Sequence, residues 1–92
     1  MKHAKLRIHG RVRGVFFRDS ACKKASELGL SGFVRNDPDG AVYIEAEGED
    51  GSLGEFISWC KDGPPMAKVS EVEVEEDSEL VGFRGFKIEE TS

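Results

Sequence analysis

The sequence predicts an α+β sandwich, an antiparallel sheet with two helices on one face, in the order β-α-β-β-α-β with a short extra strand at the C-terminus. Three observations predict it. Three stretches alternate apolar and polar residues, as half-buried strands do. Two others carry apolar residues at helical spacing. Only a four-residue turn, Asp37-Pro38-Asp39-Gly40, separates the second strand from the third, so those two pair as a hairpin while the helices act as crossovers.

The first strand is residues 4–10, with Ala4, Leu6 and Ile8 on one face and Lys5, Arg7 and His9 on the other. Residues 11–17 break the alternation and read as a loop. A helix from Arg18 to Leu28 follows, because Phe17, Ala21, Ala25 and Leu28 make one stripe and Gly29 supplies a C-terminal stop. Residues 31–36 form the second strand. In the turn after it, Gly40 takes the position that requires a positive φ. The third strand, 41–47, points Val42, Ile44 and Ala46 inward and Tyr43, Glu45 and Glu47 outward. The second helix is expected to open on a Ser52/Glu55 capping box, each side chain satisfying the other residue's free backbone N–H. Leu53, Phe56, Ile57 and Cys60 are its apolar stripe, and Gly63-Pro64-Pro65 ends it. The fourth strand covers about 69–75, with Val72 and Val74 inward and Glu71, Glu73 and Glu75 outward. Phe86-Lys87-Ile88 is the short last strand.

A chain of 92 residues with this order is expected to form one domain, 1–92, of ferredoxin-like topology, with the open face of the sheet in water. Residues 1–35 hold nine Lys/Arg and two Asp/Glu, whereas residues 36–92 hold four and sixteen. That topology seats strand one between strands three and four. Lys5, Arg7 and His9 then meet Glu45 and Glu47 on one side and Glu71, Glu73 and Glu75 on the other, which absorbs much of the asymmetry. No apolar run approaches 18 residues and the N-terminus alternates apolar and charged residues, so neither a membrane span nor a signal peptide is expected. A cytoplasmic, monomeric protein is the expectation. Its two cysteines, Cys22 and Cys60, are too few for a disulfide scaffold; the helices that carry them share one face of the sheet, so a disulfide between them is one reading, and reduced thiols, as in a cytoplasmic protein, the other.

The loop between strand one and helix one holds the basic charge that the sheet does not absorb. Gly10-Arg11-Val12-Arg13-Gly14-Val15-Phe16-Phe17-Arg18 has two glycines, three arginines and no acidic residue. A glycine-bearing loop feeding a helix N-terminus can turn successive N–H groups into an anion nest, and an arginine adds a charged fork matched to phosphate. A small phosphate or carboxylate site is therefore expected, with an ordinary polar loop as the other reading. Common phosphate motifs do not fit. Gly10 and Gly14 have only three residues between them and no lysine comes after, unlike a Walker A loop. Six residues after Cys22 is Leu28 and after Cys60 is Met66, so a Cys-x5-Arg pattern fails. Asp37-Pro38-Asp39 is better read as a turn than as a phosphoryl acceptor. No His pair has helical metal spacing, and His3 and His9 lie in strand one, away from the Asp37/Asp39 turn; no metal site is expected.

Gly10-x-Val12-x-Gly14-Val15-x-Phe17-Arg18 resembles the first signature of the acylphosphatases, and Gly32-x-Val34-x-Asn36-x-x-Asp39-Gly40-x-Val42 resembles the second. Gly63-Pro64-x-x-Ala67-x-Val69 is similar to a further family segment, so the resemblance covers nearly the whole chain. Phe33 stands where the family often has Trp, an aromatic for an aromatic. The resemblance implies hydrolysis of acyl phosphates to carboxylate and inorganic phosphate, with no metal or organic cofactor. It puts phosphate binding on Arg18 and the backbone N–H groups of the loop Arg13, Gly14, Val15, Phe16 and Phe17. It puts orientation of the attacking water on Asn36, with the substrate's phosphate accepting the water's proton.

The residues agree with that chemistry. Phosphoryl transfer through a loose transition state needs charge stabilisation and a placed nucleophile more than a strong base. Asp19 is the only acid beside the loop. Asn36 can both accept from and donate to a water. Strands one and two run parallel in this topology, so the loop after one and Asn36 at the end of two fall at the same edge. Arg11 and Arg13 raise the local positive potential or are solvated charges, and Phe16 and Phe17 read as core and rim packing. An RNA-binding sheet of the same topology would need exposed aromatics, and Tyr43 is the only obvious one on a chain of net charge −5, so no nucleic-acid partner is expected. A catalytically silent module that binds a small anion is the remaining alternative.

Overall fold

A computed structural model describes residues 1–89. Its elements are β1 (Lys2–Arg11), α1 (Phe17–Glu27), β2 (Ser31–Asn36), β3 (Val42–Gly48), α2 (Asp50–Asp62), β4 (Lys68–Asp77) and β5 (Phe86–Ile88). They build one sheet of order β4-β1-β3-β2-β5, so β1 lies between β3 and β4 as its charge pattern requires. The sheet is mixed, because β5 joins the β2 edge in parallel, Val34 opposite Ile88. Both helices lie on the face that carries Ala4, Leu6, Ile8, Val34, Val42, Ile44 and Ala46, and bury Phe17, Ala21, Ala25, Leu53, Phe56 and Cys60 against it. Burial pushes the Cys60 thiol up, so it packs as a small hydrophobe. Cys22 is also a free thiol. Among the described residues no helix is long and apolar enough to cross a membrane.

Three expectations need correction. The Ser52/Glu55 box does not open α2. The helix starts at Asp50 with Glu49 as its cap, Leu53 N–H donates to the Glu49 carbonyl at 2.9 Å, and no side chain caps the end. β3 runs on to Gly48 and the chain turns at once, so Asp50 supplies the favourable first-turn negative charge and Ser52 is already inside. The cross-strand charges also divide differently. Lys5 does face Glu45 and Glu75, but the long arm of Arg7 turns away from its opposite number Glu73 on β4, toward the β3 side, to Asp39 at 2.7 Å and Asp37 at 3.1 Å. Glu73 instead pairs with His9 at 2.5 Å. The end of β1 thus comes up to the Asp37–Gly40 turn, and the Ala41 N–H, with the hydrogen bond and charge of Arg7, holds the Asp39 carboxyl below its usual range.

The third correction concerns the open face, which is not simply in water. The segment 78–85 crosses part of it, laying Phe83 against Phe33 at 5.7 Å and against the His3 ring at 5.9 Å between centroids. Glu47, expected outward and solvated, is only 3% exposed. It accepts N–H groups from Val81, from Gly82 at 2.9 Å and from Phe83 at 3.4 Å, and its other contact is His3 Nδ1 at 2.7 Å. Phe33 joins Tyr43 on this face as a second aromatic, but Phe83 packs on its edge and the Arg35 guanidinium stacks on Tyr43 at 4.6 Å.

These hydrogen bonds outweigh the desolvation of Glu47 and hold its carboxyl below the usual carboxylate range. A lowered folded-state pKa contributes stability above the unfolded value, about 4.3, that is lost as pH falls through the folded one. Glu47→Gln is therefore expected to cost about 1–3 kcal/mol at pH 7. In urea titrations the gap from the wild type should narrow as the pH falls toward 3. A gap of equal size at both pH values would contradict the account.

Candidate active site

At the edge where β1 and β2 end, the chain opens a cleft of about 580 Å³. Its lining includes Arg13, Gly14, Phe16, Phe17, Arg18 and Asp19 from the β1–α1 loop and the first turn of α1, Asn36 from the end of β2, and Ile88 from β5. The topology alone brings Arg18 and Asn36 together. β1 and β2 are both antiparallel to β3, so they point the same way and their C-terminal ends lie on one side of the sheet.

The loop's shape comes from its backbone. Gly14 has φ 71° and Phe16 has φ 62°, so two left-handed residues flank Val15. Val15 itself is buried in the core and leaves only its backbone to the loop. Left-handed backbone is cheap for Gly14, and nothing lies within 4 Å of where its Cβ would be; the glycine there serves conformation rather than space. Phe16 caps α1 with no side-chain hydrogen bond to the helix end. The first intrahelical donor is Ser20 N–H, to the Phe16 carbonyl at 3.0 Å, so the N–H groups of Phe17, Arg18 and Asp19 point out of the helix without a carbonyl one turn earlier. The positive end of the helix dipole adds to them. Phe17 is core and Phe16 stands 74% exposed at the rim.

The arginines divide into two groups. Arg7 and Arg35 are neutralised by Asp37 and Asp39, with Arg35 Nε at 3.0 Å from Asp37 and its guanidinium charge strengthened by that bond. Arg18 is half-buried in the cleft, and among the described residues no carboxylate pairs with it. Arg13 is exposed and donates to the Asp37 carbonyl at 3.4 Å, tying the loop to the end of the strand that carries Asn36. Asp37 was legible only as a turn residue. Its backbone does make the turn, donating to Ala41 and accepting from Gly40, but its buried carboxylate is also the hub that binds Arg7 and Arg35. Asp37 is thereby engaged away from the cleft, which leaves Asp19 as the one carboxylate on its wall among the described residues.

The arrangement is one for gripping a small tetrahedral anion, with a cationic fork, outward N–H groups and a neutral amide at one edge. Comparison with known proteins bears on the family. The acylphosphatase family model matches residues 4–88. An acylphosphatase of Rubrobacter xylanophilus is 51% identical over 87 residues, covering 95% of this chain and 79% of its own. One of Methylococcus capsulatus is 46% identical and covers 96% of both chains. The crystal structure of the acylphosphatase from Bacillus subtilis superposes with a TM-score of 0.93 at 38% identity, over 96% of this chain and 98% of that one. Agreement of sequence and fold along this whole length shows that the chain belongs to the acylphosphatase family of hydrolases.

Proposed function

We propose that this chain, acting as one monomeric domain over residues 1–92, hydrolyses the carboxyl–phosphate bond of acyl phosphates without a metal, with Arg18 and the loop N–H groups holding the phosphoryl group and Asn36 orienting the attacking water. The observation that carries the reading is the shared cleft of Arg18 and Asn36, one from a helix start and one from a strand end. A phosphoryl group held by the guanidinium and the outward N–H groups of α1 has its charge spread over fixed donors in the transition state. The Asn36 amide oxygen, at the cleft edge, can accept a hydrogen bond from a water, fixing that water's oxygen in line with the leaving carboxylate.

In the step itself the water oxygen bonds to phosphorus, the bond from phosphorus to the acyl oxygen breaks, and its electron pair leaves on the carboxylate. The water's proton goes to a phosphoryl oxygen. A protein base is not needed, which suits a cleft whose only carboxylate among the described residues is the exposed Asp19. The same single carboxylate is a poor donor set for a divalent cation.

Benzoyl phosphate should be hydrolysed at the same rate with and without EDTA, read from the loss of its ultraviolet absorbance. Activity lost in EDTA and restored by Mg²⁺ would overturn the metal-free mechanism. A folded protein that binds phosphate and turns nothing over would be the silent anion-binding module instead.

A further inference from the structure

We propose that Phe16 and Ile88 form an apolar lip on the cleft that selects the acyl half of the substrate, favouring uncharged aromatic acyl groups over small ones. The inference rests on the proposed phosphate reading and extends it to the other end of the molecule. Of the apolar side chains on the cleft wall, Val12 and Phe17 are 1% exposed and belong to the core, whereas Phe16 is 74% and Ile88 40% exposed. These two come from different elements, the loop before α1 and the edge strand β5.

Phe16 is unfavourable twice over. A large ring in water forgoes burial, and a left-handed φ of 62° is one that Gly or Asn would adopt at less cost. It is the only non-glycine residue with positive φ among the described residues. An exposed ring held by a strained backbone at the mouth of a cleft points to a contact made only when a ligand is present.

Geometry says which part of the ligand. With the phosphoryl group on Arg18 and the helix N–H groups, the acyl carbon lies one bridging oxygen away and its substituent must leave the cleft past the rim. A phenyl ring leaving there can cover the Phe16 ring and the Ile88 methyl groups; a methyl group covers little of either.

The experiment measures kcat/KM for benzoyl phosphate and acetyl phosphate in the wild type, Phe16→Asn, Phe16→Tyr and Ile88→Ser. Comparing ratios removes the intrinsic difference between the two leaving groups, and Asn keeps the left-handed backbone. The benzoyl/acetyl ratio should fall about five- to tenfold in Phe16→Asn, fall by a smaller factor in Ile88→Ser, and stay at the wild-type value in Phe16→Tyr. Ratios unchanged in Phe16→Asn and Ile88→Ser, in enzymes that still turn over and are still inhibited by inorganic phosphate, would overturn the lip alone. A wild type that hydrolyses neither compound would overturn the lip together with the reading beneath it.

Discussion

Arg18→Ala is expected to lower kcat/KM for benzoyl phosphate by roughly 10³, raising KM and reducing kcat together. The guanidinium would touch the phosphoryl group in the bound substrate and hold it more strongly as charge redistributes in the transition state, so both parameters carry its loss. The cleft has no substitute. Arg7 and Arg35 are engaged with Asp37 and Asp39, and Arg13 is exposed and bound to a backbone carbonyl. Arg18→Lys should recover only part of the activity, because a point charge on a flexible stem cannot present two parallel N–H groups to two phosphate oxygens. Stability should barely change, since Arg18 makes no ion pair with the described residues. Phosphate inhibition constants would measure the binding share directly. An Arg18→Ala enzyme with wild-type phosphate affinity would move the anion site elsewhere in the loop.

The site was legible because its two halves sit on elements with strong local signals. Phe17, Ala21 and Ala25 mark the start and face of α1, and the Asp37–Gly40 turn marks the end of β2, so strand direction alone brings Arg18 and Asn36 to one edge. What the sequence concealed depends on backbone donors and long side chains. The segment 78–85 has no periodicity, and it is held by main-chain N–H groups on the Glu47 carboxylate, a bond any residue type but proline at 81–83 could make. Glu47 therefore looked like one more outward charge of an alternating strand. Arg7 does lie opposite Glu73, as the alternation predicts, but its arm is long enough to choose the turn instead. Ser52 and Glu55 have capping-box spacing, yet the box is a local preference worth about 1 kcal/mol, and the end of β3 at Gly48 fixes where the chain can turn. Phe16 is a different case. Its neighbour Phe17 is core, and two adjacent phenylalanines give no pattern-based reason for one to face solvent in a left-handed conformation.

Asn36 should separate from Arg18 in the kinetics. Asn36→Ala is expected to lower kcat by roughly 10²–10³ while leaving the inhibition constant for inorganic phosphate within a few-fold of the wild type. The difference lies in what each group would touch. In the proposed mechanism Arg18 would meet the phosphoryl group in the ground state as well as in the transition state, whereas Asn36 would act on a water whose position matters only while the bond to phosphorus forms. Asn36→Asp makes the same point with charge. It is nearly isosteric, but a carboxylate at the edge of a phosphate cleft repels the anionic substrate, so KM should rise as kcat falls. Lowering the pH toward the carboxylate range should then relieve part of the KM defect in Asn36→Asp and none in Asn36→Ala. Equal losses of phosphate affinity in Arg18→Ala and Asn36→Ala would mean that the amide is a phosphate ligand, and the water would need another partner in the cleft.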